Sequence, residues 1–490
     1  MKKKSLLLCS AALLLSVGAL TGCGGSGKTI TLWVGSESTA FYQKVANEYV
    51  AAHSDFGYKV KVTASDAGAA AGAMVQDNSS CADIVTVAHD NIGKLSQSSY
   101  IAPIQSESLL KQIDDDNPAS FKGVIKNTLG TGTDEYVLAV PYVSQALFLY
   151  YDTRYVSAEQ AQSFEGLQQA AAAVSNKTKA VAVTGTDGYN FSFTLLGRNV
   201  TGGANTSSLK LYEGGKKYAT FAQDNEEVAI ARWAQRYLAD PNGLFFPDDS
   251  GWEVNVSNHN VISVIGGAWH YNAFKNVVTD NSGKVNMGCA IIPTFTLTAA
   301  DVEGISSVAY PTGDEFAPTG TNAAPAAGTV IRGGSFVDCK CFVINMAAAN
   351  DATKYNKLQE LIQHLSSKEI QNRSFLEAMN VPAYEGADTF IASLTKDQVD
   401  ETVLMMAKAQ TGMNPYGIAQ PFINGTLNTY YYSKSCPKYY EELLVNSSGK
   451  YNTVQSVREV LFKMEYVYKH GSLPASVPAQ LPGATDAKIA

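Results

Sequence analysis

Segments that alternate between the two-residue period of a strand and the longer period of a helix leave this chain few folds to adopt. The body opens with a strand at Thr29–Val34 and a helix pattern at 38–53. A second strand follows at 58–63, a small-residue helix at 67–76 and a buried strand at 83–87. Strand, helix and strand in succession make βαβ units. Repeated units give an α/β fold in which helices flank a mixed, mainly parallel sheet. The alternation returns in a helix at 226–239, with Val228, Trp233 and Leu238 among its apolar positions, and in strands at 261–265 and 287–292. A strand at 342–345, an amphipathic helix at 355–366 and C-terminal helices at 396–409, 439–445 and 454–470 complete the pattern. Residues 298–334, rich in Thr, Gly, Ala and Pro, interrupt it. A connection that long without its own elements is a functional loop or disordered. Residues 471–490 carry no core pattern and read as a mobile tail.

The N-terminus has a different logic. Lys2, Lys3 and Lys4 precede an apolar run at 6–20 and then Leu20-Thr21-Gly22-Cys23. A basic start, a short apolar stretch and small residues before a cut describe a secretory signal peptide. The run falls short of the roughly 20 apolar residues that a membrane span needs. Leu-Thr-Gly-Cys resembles a bacterial lipobox. That resemblance implies removal of residues 1–22 and a lipid on Cys23. Acyl chains, at about 0.8 kcal/mol per buried CH₂, then hold the protein on a membrane. Gly24-Gly25-Ser26-Gly27, within the 23–28 linker, suits a flexible tether. The expectation is a lipid-anchored body at a bacterial cell surface or on the periplasmic side of a membrane. A plain signal peptide with an incidental cysteine is the simpler alternative.

The remaining chain has room for two or three domains of roughly 150 residues. Without the three leader lysines it carries 34 basic and 45 acidic residues. This acidic balance argues against nucleic acid, which favours basic patches. The seven cysteines stand at 9, 23, 81, 289, 339, 341 and 436, too scattered for a disulfide framework. Cys339-Lys340-Cys341 sets two sulfurs on one face of a strand. With Phe342, Val343 and Ile344 following, they read as buried free thiols rather than metal ligands. The six histidines show no HExxH spacing, and no GxSxG elbow or phosphate loop is present. No cofactor is expected.

Three stretches resemble one family. The first is Ala82-Asp83-Ile84-Val85, then Ala88-His89-Asp90 and Ile101-Ala102-Pro103-Ile104. The second is Val140-Pro141-Tyr142, running to Leu149-Tyr150-Tyr151-Asp152. The third runs from Gly266-Gly267-Ala268-Trp269 to Ile292-Pro293-Thr294-Phe295. Leu361-Ile362-Gln363-His364-Leu365 and Val381-Pro382-Ala383 continue it. In order and spacing they are similar to the maltodextrin-binding proteins, the family 1 extracellular solute-binding receptors of ABC importers. The resemblance implies a two-lobed periplasmic-binding-protein fold of type II, with a ligand enclosed between the lobes and hinge closure on binding. Lobe 1 would comprise residues 29–143 and 336–395. Lobe 2 would comprise residues 144–335, with the 298–334 insertion, and the helical 396–470. The implied partners are an oligosaccharide, with malto-oligosaccharide as first guess, and the transmembrane subunits of a permease. A monomer without enzymatic activity is expected.

A sugar offers hydroxyls and apolar C–H faces, so its cleft needs flat aromatic platforms and a few polar partners. The resemblance assigns the platform to Trp269 and hydroxyl-accepting carboxylates to Asp90 and Glu37. Tyr189 and a C-terminal aromatic, Tyr430 or Tyr431, are further ligand-binding candidates. Each has a plainer explanation: Trp269 as core packing, Asp90 as a helix N-cap, Glu37 as a surface charge. The tyrosines at 430 and 431 would then line a helix core. The chain also departs from the family. Val87 stands where those receptors have a tryptophan, Ser38 where they have a lysine, Asn91 for an arginine and Gln145 for a glutamate. Two alternatives therefore stay open. The same fold could bind a peptide, polyamine or other cation, since an aromatic beside carboxylates suits ammonium groups. A secreted glycoside hydrolase would need two carboxylates flanking one bond.

Overall fold

The computed structural model describes residues 28–183, 189–190, 192–206, 224–239, 251–309, 321–418 and 449–470, with short pieces at 212–213, 216–217, 245–246 and 443. The leader, Cys23, Tyr430, Tyr431 and the tail lie outside the described residues, as does all but Leu443 of the helix expected at 439–445.

The strands of the two main sheets are, in chain order, β1 (Thr29–Val34), β2 (Lys59–Ala64), β3 (Ile84–Ala88), β4 (Ile101–Ala102), β5 (Val140–Ala146), β6 (Phe148–Asp152), β7 (Lys179–Ala182), β8 (Phe245–Phe246), β9 (Val261–Gly266), β10 (Met287–Ala290), β11 (Ser335–Asn345) and β12 (Gly417–Ile418). The helices that matter below are α1 (Thr39–Ala52), α2 (Ala67–Asp77), α3 (Asn225–Ala239), α4 (Tyr271–Val278), α5 (Ala352–Leu365), α6 (Lys368–Ala378), α7 (Glu401–Thr411) and α8 (Val454–His470).

A seven-stranded sheet has the order β2-β1-β3-β11-β12, with β4 and β5 also paired to β11. A five-stranded sheet has the order β8-β7-β9-β6-β10. Both are mixed. The βαβ starts pair in parallel, β1 with β2 and β3 and β9 with β7. The strands that carry the chain between sheets run the other way. β11 is antiparallel to β3 and β5, and β6 is antiparallel to β9 and β10. The chain leaves the first sheet between β5 and β6, separated only by Leu147, and re-enters it at β11.

Burial follows the sequence pattern. β1 alternates, with Ile30, Leu32 and Val34 fully buried, whereas β9 is buried along its whole length and so must be covered on both faces. In the second sheet's core Trp233 of α3 stacks on Phe295, with ring centroids 3.7 Å apart. The segment 298–334 is not an elementless loop throughout. Thr298 and Asp301 close a capping box on a short helix, Ala299–Val302. Asp301 also accepts from the Arg236 guanidinium of α3. Val330–Arg332 pairs with both Thr294–Thr296 and Arg198–Asn199. These polar anchors carry no apolar periodicity, which is why the pattern conceals them. Residues 310–320 lie outside the described residues.

Candidate functional site

Trp269 emerges where β9 ends. The two preceding glycines are required by the rings that fold back over them. A Cβ at Gly267 would lie 2.1 Å from the indole, and one at Gly266 would lie 2.2 Å from His270 Nδ1. A 3-10 turn, Ala268–His270, then leads into α4. The Tyr150 hydroxyl donates to the Gly267 carbonyl at 3.0 Å and fixes the turn. The indole is 47% exposed despite its apolar neighbours in sequence. Core packing therefore does not explain it. Its neighbour Tyr189 lies 6.1 Å away, centroid to centroid, and itself stacks on Phe336 of β11 at 6.0 Å. An aromatic path thus runs from the end of one sheet to the start of the other sheet's central strand. Beneath it, burial lowers the His270 pKa to about 4, so the imidazole stays neutral at ordinary pH.

Glu37 sits on the 3-10 turn Ser36–Ser38 that follows β1. Its carboxylate folds over Gly35, where a Cβ would come within 2.3 Å of Oε1. Lys340 Nζ lies 3.8 Å from the same oxygen. The lysine that the family resemblance would place at position 38 is absent; an ammonium reaches Glu37 from β11 instead. Ser38 is buried and accepts from Asn380 Nδ2 at 2.9 Å, tying the turn to the end of α6.

Glu37 and Trp269 line one cavity of about 300 Å³, together with Asp66, Gln145, Asn272, Lys340 and Asn380. Its walls come from both sheets and from the crossing strand β5. Tyr271, also in the lining, is braced from behind. Its hydroxyl shares a 2.6 Å hydrogen bond with Thr402 Oγ1 and accepts from Lys275 Nζ at 3.0 Å. These bonds hold the Tyr271 ring beside the indole.

The other expectations fare differently. Asp90 lies half-buried on the turn after β3 and accepts from Asn91 Nδ2 at 3.0 Å; it is not in the lining of this cavity. His89 is fully buried. Its Nδ1 accepts from the Cys339 N–H, and its Nε2 lies 3.8 Å from Asp338 Oδ1, a structural role as its sequence context suggests. Val87 is fully buried and cannot replace the family's tryptophan in a cleft. Cys339 and Cys341 are fully buried free thiols with their sulfurs 3.6 Å apart. Asp66, Lys340, Asn272 and Asn380 were not anticipated. For Lys340 the signal was present: if Cys339 and Cys341 point into one layer, the residue between them points to the opposite face.

The family model for bacterial extracellular solute-binding proteins matches residues 44–398. The chain belongs to this family. Similar solved structures include the maltodextrin-binding protein of L. casei without ligand, at 16% identity and a TM-score of 0.62, covering 89% of this chain and 99% of that one. The maltose-binding periplasmic protein of Listeria monocytogenes, in complex with maltose, is 17% identical with a TM-score of 0.60, covering 91% and 99%. MalX of Streptococcus pneumoniae, in complex with maltopentaose, is 17% identical with a TM-score of 0.59, covering 89% and 100%. These likenesses establish the two-lobed periplasmic-binding-protein fold for this solute-binding protein. No curated protein sequence matches it. Among the described residues no helix is long and apolar enough to cross a membrane.

Proposed function

We propose that this solute-binding protein is the lipid-anchored receptor of an ABC importer and encloses a neutral oligosaccharide between its lobes. The observation that carries the reading is the half-exposed indole of Trp269 on the same cavity wall system as Glu37, Gln145, Asn272 and Asn380. A flat apolar face beside amides and a carboxylate matches a sugar's C–H face and hydroxyls. Malto-oligosaccharides are the first candidates, because the similar structures with bound ligand hold maltose and maltopentaose. Residues 29–143 and 336–395 would move as one lobe and 144–335 and 396–470 as the other. Closure would present the loaded form to the permease, with Cys23 holding the body at the membrane.

The lysine weighs against a peptide amine or polyamine as ligand. Lys340 places a positive charge beside Glu37, and Asp66 is already engaged in capping α2 through the Gly68 and Ala69 amides. Binding without turnover is expected. A thermal-shift panel of neutral sugars, peptides and amines tests the reading, since a ligand at 100 times its dissociation constant adds about 2.7 kcal/mol of stability. A neutral oligosaccharide should raise the melting temperature. A shift with amines or peptides alone would overturn the assignment.

A further inference from the structure

Lys340 occupies an unusual place in β11. Every other residue of this strand is buried. It stands opposite Ala88 on β3 and Val143 on β5. It lines the cavity shared with Trp269, and also a second, neighbouring pocket of about 200 Å³. Glu37 and Asp66 line both as well, so these three charged groups form the partition between the two spaces. On the lining of the second pocket sits Thr86. Its hydroxyl is buried next to the Tyr142 phenol and makes no well-formed hydrogen bond among the described residues. A buried hydroxyl without a partner is costly, and one beside an open pocket can be satisfied by a ligand.

Resting on the receptor reading above, we propose that Lys340 is a specificity-determining residue. With Glu37 and Thr86 it forms a polar subsite beyond the Trp269 platform that takes the hydroxyls of one neutral sugar ring and rejects charged ligands. The chemistry is that of complementary charge. A hydroxyl both donates and accepts, so it can donate to the Glu37 carboxylate while accepting from the Lys340 ammonium. A ligand ammonium would meet Lys340 as a like charge, and a ligand carboxylate would meet Glu37 and Asp66. Specificity of this kind comes as much from the repelled ligand as from the accepted one. Glu37 and Asp66 alone would make the cleft attractive to cations; the lysine from β11 offsets the Glu37 charge, and the Asp66 carboxylate is engaged by the α2 amides.

The test is calorimetric titration of the full mature chain with four trisaccharides: maltotriose, cellotriose, the fully amino chitosan trimer and trigalacturonic acid. Wild-type protein should favour a neutral trimer over both charged ones. Lys340→Met should weaken that neutral trimer about tenfold, the range of one charged hydrogen bond, and should gain binding of the amino trimer. The double variant Glu37→Gln/Lys340→Met should lose that gained binding, which a merely structural lysine would not produce. Thr86→Val should weaken the neutral trimer without changing charge preference, and melting curves verify that each variant folds. If wild type binds neither neutral trimer, the oligosaccharide reading itself fails and the inference falls with it. If wild type binds one but Lys340→Met keeps the same order and affinities, the inference alone is overturned.

Discussion

Trp269 shows what one residue carries. Its indole and the His270 ring fold back over Gly267 and Gly266, where a Cβ would collide with them, and its exposure leaves little of the fold dependent on it. Trp269→Ala should therefore weaken ligand binding by about 10–100-fold, as loss of an aromatic anchor does. Its melting temperature should stay within about 2 °C of wild type, since exposed substitutions cost little. Titration and a thermal melt on the same preparation check both halves. Gly267→Ala should cost as much affinity as removing the indole, because its methyl group would occupy the ring's position. An alanine variant with wild-type affinity would contradict the assigned geometry. Gly-Gly-Ala-Trp is a compact local pattern, so the sequence could single out Trp269, whose indole the structure leaves exposed. For Lys340 the alternation Cys-Lys-Cys shows only that it faces away from the two thiols; that this face looks into the cleft depends on strand pairing. Nor could the sequence show that Asp90, so close to a buried strand, would lie outside the cavity that Glu37 shares.

At the scale of elements, β11 and α3 show where local patterning gives out. β1 and α8 have the bounds that their periodicity predicts. The sequence places 342–345 and Cys339-Lys340-Cys341 on strand but gives no sign that the strand starts as early as Ser335, because Asp338 and Lys340 break the apolar run. The strand continues through them by pairing buried Asp338 with His89 and by sending Lys340 into the cleft. Its thiols should be inert to a thiol reagent in the folded protein and react on denaturation, whereas half-exposed Cys81 reacts first. Asp224, just before α3, and Glu226 and Glu227 in its first turn are perturbed by burial. Asp224 is raised to about 6 and Glu226 to about 7, in each case chiefly by desolvation, and Glu227 is pushed well above its usual range. Asn199 and the Arg458 guanidinium of α8 offset part of this. Folded pKa values above the unfolded ones mean that the native state binds more protons between about pH 4 and 7. These groups therefore favour folding most at the acid end of that window, and their contribution falls as pH rises through it. His270, held neutral to about pH 4, works in the opposite sense below its ordinary pKa of 6.5. The three carboxylates outnumber it. Glu227→Gln should raise the melting temperature at pH 7.5 by a few degrees and leave pH 5 nearly unchanged. Equal shifts at both pH values would contradict burial as the cause.

At the scale of the molecule, two mixed sheets meet at β5, β6 and β11, and the cavity opens where they meet. Their separation by such short crossings suits a hinge. Small-angle scattering should show a smaller radius of gyration with saturating neutral oligosaccharide than without, and no contraction in Trp269→Ala at the same concentration. The alternation of strands and helices was enough to predict the fold class. It could not show that the crossing strands run antiparallel or that segment 298–334 is pinned to α3, since those depend on partners distant in sequence. The most direct measurement is calorimetric titration of neutral oligosaccharides into the purified mature chain, followed by chromatography of the recovered sugar. Saturable binding that collapses in Trp269→Ala, with the sugar returned intact, is the predicted result. Undiminished binding in that variant, or cleaved sugar, would contradict a receptor built around this indole.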